Sequence, residues 1–138
     1  MTLLFVYGSL KQGFPNAHVN SGERIPGVYR TRQRLPMYLL GDGQVPCLVL
    51  APGSGEQVLG ELYRVDASGL AAMDRLERLG ESDGYLRQSV EVEAVGPQES
   101  EVVSAYAYMK RPEQLPPQAP RVGPLAEYTM EHARHLHW

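Results

Sequence analysis

The sequence predicts a mixed α/β (α+β) domain in which short strands predominate, and three observations support this fold class. The 138 residues include 14 glycines and 11 prolines, which divide the chain into short segments separated by turns. Residues 3–7 form an unbroken apolar run, the pattern of a strand buried on both faces. A single clear amphipathic stretch follows Asp66 and has the spacing of an α-helix. These features favour a strand-rich domain over a helical bundle.

The first strand ends in the turn Tyr7-Gly8-Ser9-Leu10. Gly8 lacks a Cβ atom, so its backbone can take unusual dihedral angles and another molecule can approach it closely. Successive amides in such a turn can point the same way and form an anion-binding concavity. The local pattern alone is also typical of an ordinary core strand followed by a tight turn.

Apolar runs and alternating apolar and polar residues predict further strands along the chain. These strands span residues 23–31, 34–40, 45–50, 57–65, 85–94 and 101–109. The loop at Gly96, Pro97 and Gln98 predicts a hairpin between the last two strands. Pro46 should lie at the start or edge of its strand, and Cys47 should be a core residue.

The predicted helix runs from Asp66 to about Leu79. Asp66 is a favoured N-cap residue, and Gly80 is expected to end the helix at its C′ position. The apolar side chains fall on one side of the helix; they are Leu70, Ala72, Met73, Leu76 and Leu79.

Glu77 departs from this pattern, because it projects onto the apolar side of the helix between Leu70 and Met73. A conflict of this kind tends to mark a functional site. The alternative is that Glu77 lies at the edge of the apolar stripe, where it turns to solvent or pairs with a buried arginine.

Composition limits the class of protein. The net charge of −3 and the scattered cationic residues disfavour nucleic acid as a partner. Neither an apolar stretch of about 20 residues nor a basic leader segment occurs, so we expect no membrane association and a cytoplasmic location. Cys47 is the only cysteine, which excludes an intrachain disulfide.

We predict that the main domain spans residues 1–111 and that residues 112–138 are a proline-rich extension. This extension is expected to end in a short helix over residues 124–136. Its histidines, His132, His135 and His137, are accompanied only by Glu131. The sequence therefore predicts no metal site.

Four motifs in order resemble the gamma-glutamylcyclotransferase superfamily, particularly its gamma-glutamylamine cyclotransferase-like (AIG2-like) branch. They are the Tyr7–Leu10 turn, the strand Gly60-Glu61-Leu62-Tyr63-Arg64-Val65-Asp66, the helical Met73-Asp74-Arg75-Leu76-Glu77, and Tyr85-Leu86-Arg87 with the later Tyr108. The resemblance covers roughly residues 3–110. The chain departs from it in the loop 78–84, which lacks a usual proline, and in the segment after residue 112.

This resemblance implies a small barrel-like mixed sheet with packed helices. It also implies cleavage of a small gamma-glutamyl substrate by internal cyclisation, which releases 5-oxoproline and a free amine or amino acid without a cofactor. Glu77 would be the general acid and base. The substrate-binding residues would be Tyr7, Gly8, Ser9, Leu10, Tyr85, Arg87 and Tyr108. We expect a monomer or a weak homodimer.

The proposed chemistry suits these residues. The α-amine of a gamma-glutamyl group is an internal nucleophile, and a carboxylate on an apolar wall is a suitable base for it. Arg87 would bind a carboxylate, hold the helix that carries Glu77, or form a surface salt bridge. Two alternative functions stay open: a binding module that does not turn over its ligand, and an enzyme that removes a gamma-glutamyl protecting group in a biosynthetic pathway.

Overall fold

The computed structural model describes residues 1–41, 44–96, 101–115 and 120–134. Within these ranges the strands are β1 (Thr2–Val6), β2 (Glu23–Thr31), β3 (Met37–Leu40), β4 (Val45–Val49), β5 (Leu59–Val65), β6 (Leu86–Ala94), β7 (Val102–Lys110) and β8 (Arg121–Val122). The α-helices are α1 (Ala67–Leu76) and α2 (Met130–Ala133), and 3-10 turns lie at Ala17–Val19 and Pro112–Gln114.

The strands form one sheet in the order β1-β5-β2-β6-β7-β4-β3-β8. A parallel pairing of β1 with β7, at Leu4 and Tyr106, closes the strands β1, β5, β2, β6 and β7 into a small barrel. The far end of β7 pairs instead with β4, where Met109 lies opposite Leu48. The mixed fold with a barrel-like sheet is therefore confirmed. The prediction of a hairpin at Pro97 and Gln98 lies outside the described residues.

β1 is buried on both faces, as its apolar run predicts. Phe5 belongs to a cluster that includes Leu62 and Tyr128. Leu4 belongs to a second cluster, to which α1 contributes Met73. Burial of a large apolar side chain stabilises a fold by about 1.5–3 kcal/mol, so this strand anchors both clusters and fixes the position of the turn that follows it.

α1 begins as predicted but ends earlier. The Asp66 carboxylate accepts a hydrogen bond from the Gly69 amide at 2.7 Å, which confirms the N-cap. The helix ends at Leu76 instead of Leu79, and Arg78, not Gly80, takes the first left-handed conformation with φ 56°.

Local hydrogen bonds end the helix: the Arg78 amide donates to the Arg75 carbonyl at 3.2 Å, and the Leu79 amide donates to the Asp74 carbonyl at 2.9 Å. A further bond fixes the direction in which the chain leaves the helix. In a longer helix the Glu77 carbonyl would accept from the amide four residues on, that of Glu81. The Tyr85 amide donates to this carbonyl instead, at 3.0 Å, and the Glu81 amide bonds to the Arg78 carbonyl. The chain therefore turns back toward β6 directly after Glu77.

The C-terminal segment is less helical than predicted. α2 covers only Met130–Ala133, and Thr129 caps it. The residues before it bond to the sheet: the Leu125 amide donates to the Met37 carbonyl, and the Ala126 carbonyl accepts from Leu59, each at 2.8 Å. The division of the chain at residue 112 stays a prediction, as does the disfavoured metal role of His135 and His137, which lie outside the described residues.

Candidate active site

A cavity opens where β1 passes into its turn and faces the end of α1. Its lining residues are Phe5, Val6, Tyr7, Gly8, Ser9, Leu10, Pro46, Glu77 and Tyr108. The fold thus brings Glu77 together with the whole predicted turn, although about 70 residues separate them in the chain. Of the predicted site residues, Tyr85 and Arg87 do not line this cavity.

Glu77 is a buried carboxyl group on an otherwise apolar wall. It is 8% exposed, and none of the hydrogen bonds between described residues involves its carboxyl oxygens. Burial disfavours the charged form and raises the pKa of Glu77 from 4.5 to about 7, while the positive charge of Lys110 opposes this rise. A carboxyl group with a pKa near neutral can both accept and return a proton.

The carbonyl groups of the turn are occupied by the protein itself. The Gly8 carbonyl accepts from the Lys11 amide, and the Ser9 carbonyl accepts from the Asn16 amide. The Leu10 carbonyl accepts from the Asn20 side chain. Among the described residues, the amides of Gly8, Ser9 and Leu10 donate to no other group, so these donors are available to a ligand.

Gly8 packs closely against Pro46. A Cβ atom at this position would lie 3.0 Å from Cγ of Pro46. Pro46 also lines the cavity. A larger residue at position 8 would therefore push the turn and Pro46 apart and change the shape of the cavity.

The three predicted tyrosines hold the walls of the site together. The Tyr7 hydroxyl donates to the Tyr108 carbonyl at 2.7 Å and accepts from the Leu48 amide at 3.1 Å. The Tyr85 hydroxyl donates to the Pro46 carbonyl at 2.6 Å. The Tyr108 hydroxyl donates to Asp74 at 2.6 Å. Each hydroxyl proton is therefore already bonded within the protein.

These hydroxyl groups are also poor acids. Burial raises the pKa of Tyr7, Tyr85 and Tyr108 above the ordinary value, and the Asp74 carboxylate adds to the rise at Tyr108. All three therefore stay neutral, and the donors that can meet a developing negative charge are the amides of the turn.

Arg87 contacts the helix that carries Glu77. Its guanidinium group lies 2.6 Å from the carboxylate of Asp74, three residues before Glu77 on α1. Asp74 in turn accepts the hydrogen bond from Tyr108, so this pair joins α1, β6 and β7. This geometry favours a role for Arg87 in holding α1 in place over a role in binding a substrate carboxylate or in a simple surface salt bridge.

The sequence alone did not indicate three residues around the site. Pro46 lines the cavity and accepts from Tyr85, Asp74 anchors Tyr108 and Arg87, and Lys110 places a positive charge near Glu77. Asp74 lies inside a motif of the resemblance, which was its only signal. Pro46 and Lys110 act through contacts between strands that are distant in the sequence, so no local pattern marks them.

Two kinds of feature are not found in the described parts of the chain. No group of three or more His, Cys, Asp or Glu side chains there could hold a metal ion. None of the helices in these ranges is long and apolar enough to cross a membrane.

Comparison with known proteins identifies the family. The model of the family "Gamma-glutamyl cyclotransferase, AIG2-like" matches residues 4–129. The chain belongs to this family. The match extends past residue 112 and so includes Tyr128, which is fully buried in the core.

Individual members of the family agree with this assignment. The chain is 36% identical to gamma-glutamylaminecyclotransferase B of Danio rerio over 80% of its own length and 60% of that protein. It is 40% identical to the Homo sapiens gamma-glutamylaminecyclotransferase over 56% of its length and 54% of that protein. The matches span between half and two thirds of these curated relatives.

A solved structure is similar over the whole chain. The crystal structure of an AIG2-like protein from Mus musculus has a TM-score of 0.80 and 28% identity, and the match covers 100% of this chain and 95% of that one. The barrel and its appended strands are therefore the fold of the AIG2-like family.

Proposed function

We propose that this protein is a gamma-glutamyl cyclotransferase that uses Glu77 as its general acid and base. The observation that carries the proposal is the position of Glu77: a buried carboxyl group without a protein hydrogen-bond partner among the described residues lines the same cavity as residues 8–10, whose amides donate to no other described group. The family membership and the names of the relatives support the same reaction.

The reaction needs proton transfer more than it needs an external nucleophile. The α-amine nitrogen forms a bond to the gamma-carbonyl carbon, and collapse of the tetrahedral intermediate breaks the bond to the leaving nitrogen. Two protons leave the substrate ammonium group during these steps, and both end on the leaving nitrogen, which departs as an ammonium group. Glu77 carries them in turn and regains its starting state, and the five-membered ring of 5-oxoproline remains.

The cavity supplies the other requirements. Holding the amine against its own side chain replaces a bimolecular encounter with an internal one, which can lower the barrier by about 7–11 kcal/mol in well-oriented cases. The amides of Gly8, Ser9 and Leu10 supply donors for the oxyanion or for the substrate α-carboxylate. Tyr7, Tyr85 and Tyr108 fix the walls through the hydrogen bonds described above.

The test is release of 5-oxoproline by the purified protein. The substrate panel contains gamma-glutamyl amino acids, gamma-glutamyl-ε-lysine, glutathione and simple gamma-glutamyl amines. We expect release from at least one of them, and a loss of roughly 10²–10⁴-fold in kcat for Glu77→Gln. Glu23→Gln, which removes an exposed carboxylate on β2, is the matched control and should keep the activity.

Two results would contradict the proposal. Glu77→Gln could retain the parent rate, which would remove Glu77 from the mechanism. The parent could instead bind gamma-glutamyl ligands in an equilibrium titration and release no product from any of them. That second result would assign the protein to the alternative class of binding modules.

A further inference from the structure

Lys110 lies at the junction between the barrel and the strands appended to it. It is the last residue of β7 and is paired with Val49 of β4. Its ammonium group donates to the Asp83 carbonyl at 3.0 Å. The same group lies 4.9 Å from the centroid of the Tyr85 ring, within the range of a cation–π contact.

Both contacts support the turn that carries Glu77. Asp83 belongs to the return segment, residues 78–84, which leads the chain from the end of α1 back to β6. Tyr85 follows this segment, and its amide bonds to the Glu77 carbonyl at 3.0 Å. The Lys110 ammonium group therefore contacts both the end of the return segment, at Asp83, and the ring of Tyr85, which is hydrogen-bonded to Glu77.

The titratable groups around Glu77 are otherwise neutral. They come from every side of the site: Tyr7 directly follows β1, Cys47 lies in β4, Tyr85 directly precedes β6, and Tyr108 lies in β7. Burial raises the pKa of Cys47 to about 12 and raises those of the three tyrosines as well. None of these groups carries a charge at neutral pH.

Arg75 on α1 and Glu81 after it are exposed to solvent, and other charged residues on and beside α1 form ion pairs. Asp74 pairs with Arg87 at 2.6 Å, and Arg78 pairs with Asp83 at 3.1 Å. Lys110 forms no ion pair with a described carboxylate. Its ammonium group lies against the ring of Tyr85, whose amide bonds to the Glu77 carbonyl, and its positive charge opposes the rise in the pKa of Glu77.

We propose that Lys110 is a positioning residue of this site, which holds the return segment and Tyr85 in place and favours the ionised form of Glu77. The catalytic meaning of this role rests on the proposed function, since an ionised Glu77 is the form that accepts the substrate proton. The electrostatic link itself does not depend on turnover and can be measured directly.

Three substitutions separate the two parts of the role. Lys110→Arg keeps the charge and a donor for the Asp83 carbonyl. Lys110→Gln keeps a donor and removes the charge, and Lys110→Met removes both. Arg64→Met, which removes an exposed cation on β5, is the control for the change in net charge.

The direct measurement is a pH titration of the Glu77 side-chain carboxyl carbon by 13C NMR, with Glu77→Gln used to assign the signal. We expect the midpoint to rise by roughly 0.5–1 pH unit in Lys110→Gln and Lys110→Met. The shift is smaller than that of a direct ion pair, because the ammonium group contacts Asp83 and Tyr85 instead of the carboxyl group. Lys110→Arg and Arg64→Met should titrate like the parent.

Two outcomes would overturn the inference: an unchanged midpoint in folded Lys110→Gln, or a midpoint in Lys110→Arg that matches Lys110→Met. If Lys110→Met does not fold, Lys110→Gln still decides the question, because it preserves the contact with the return segment.

The pH dependence of kcat/KM then shows whether the link matters for catalysis. Its acidic limb should move to higher pH by the same amount as the NMR midpoint in Lys110→Gln. An acidic limb that stays in place while the NMR midpoint moves would overturn the catalytic part of the role. If the parent releases no 5-oxoproline but its NMR midpoint depends on Lys110, the electrostatic link holds and the proposed function fails.

Discussion

Glu77→Gln should make the folded protein more stable at neutral pH, although the same change is expected to abolish activity. The reason is that the pKa of Glu77 rises from 4.5 to about 7 on folding. A carboxyl group with a raised pKa in the folded state contributes its full stability below pH 4.5, where it is protonated in both states. That contribution is lost as the pH rises through 7, because the unfolded chain ionises first.

The size of this effect follows from the same values. One pKa unit corresponds to about 1.4 kcal/mol, so ionisable Glu77 lowers the free energy of unfolding by about 3 kcal/mol above pH 7. The conversion is justified here because the side chain is only 8% exposed and solvent screens it little. Glutamine is close in shape to the protonated acid and carries no charge, so it escapes this penalty.

The assay is urea unfolding of the parent and Glu77→Gln at pH 5, 6, 7 and 8. The variant should be more stable than the parent by about 0.8 kcal/mol at pH 5, and this difference should grow to about 3 kcal/mol at pH 8. Glu23→Gln, an exposed carboxylate, controls for the general effect of removing a negative charge. A Glu77→Gln variant that is less stable than the parent by the same amount at every pH would refute this reasoning, because it would show that Glu77 is not a desolvated acid.

Two further predictions concern the walls of the site. Tyr7→Phe should lower the free energy of unfolding by about 2 kcal/mol or more, because it removes the hydroxyl group that bonds to the buried Tyr108 carbonyl and Leu48 amide. Urea unfolding measures this loss, with Tyr29→Phe as the control. Equal losses of stability in the two variants would contradict the prediction. Gly60→Ala should lower the free energy of unfolding by about 1–3 kcal/mol, because the added Cβ would lie 2.5 Å from the Val6 carbonyl oxygen and 2.7 Å from the Phe5 ring. A melting temperature equal to that of the parent would contradict this, since it would show that β1 and β5 can move apart without loss of stability.

Local features of the site were predictable from the sequence. The apolar run and its turn, the Asp66 N-cap and the conflict at Glu77 each involve residues a few positions apart. Strand and helix periodicities act over the same short distances. For this reason the pattern correctly predicted that Glu77 faces the apolar side, although Glu77 is the C-cap of α1 and not part of the helix.

The end of α1 and the course of the C-terminal segment were not predictable in this way. The helix ends where Arg78 takes a left-handed conformation, and the backbone groups of Met37 and Leu59 hold the residues before α2 against the sheet. In the C-terminal segment, hydrogen bonds with distant strands replace the local ones that the sequence pattern favours. Local propensity is weak enough for such a bond to decide the outcome.

The sequence by itself indicated which groups could do chemistry: a turn whose amides can bind an anion, and an acid on the apolar side of a helical pattern. Only the tertiary structure decided that they share a cavity, and that Pro46, Asp74 and Lys110 complete its surroundings. The physical reason is that closure of the barrel, through the pairing of β1 with β7, brings distant strands together. Desolvation and the charge of Lys110 act on Glu77 only after that closure, so the pKa of the acid is a property of the fold.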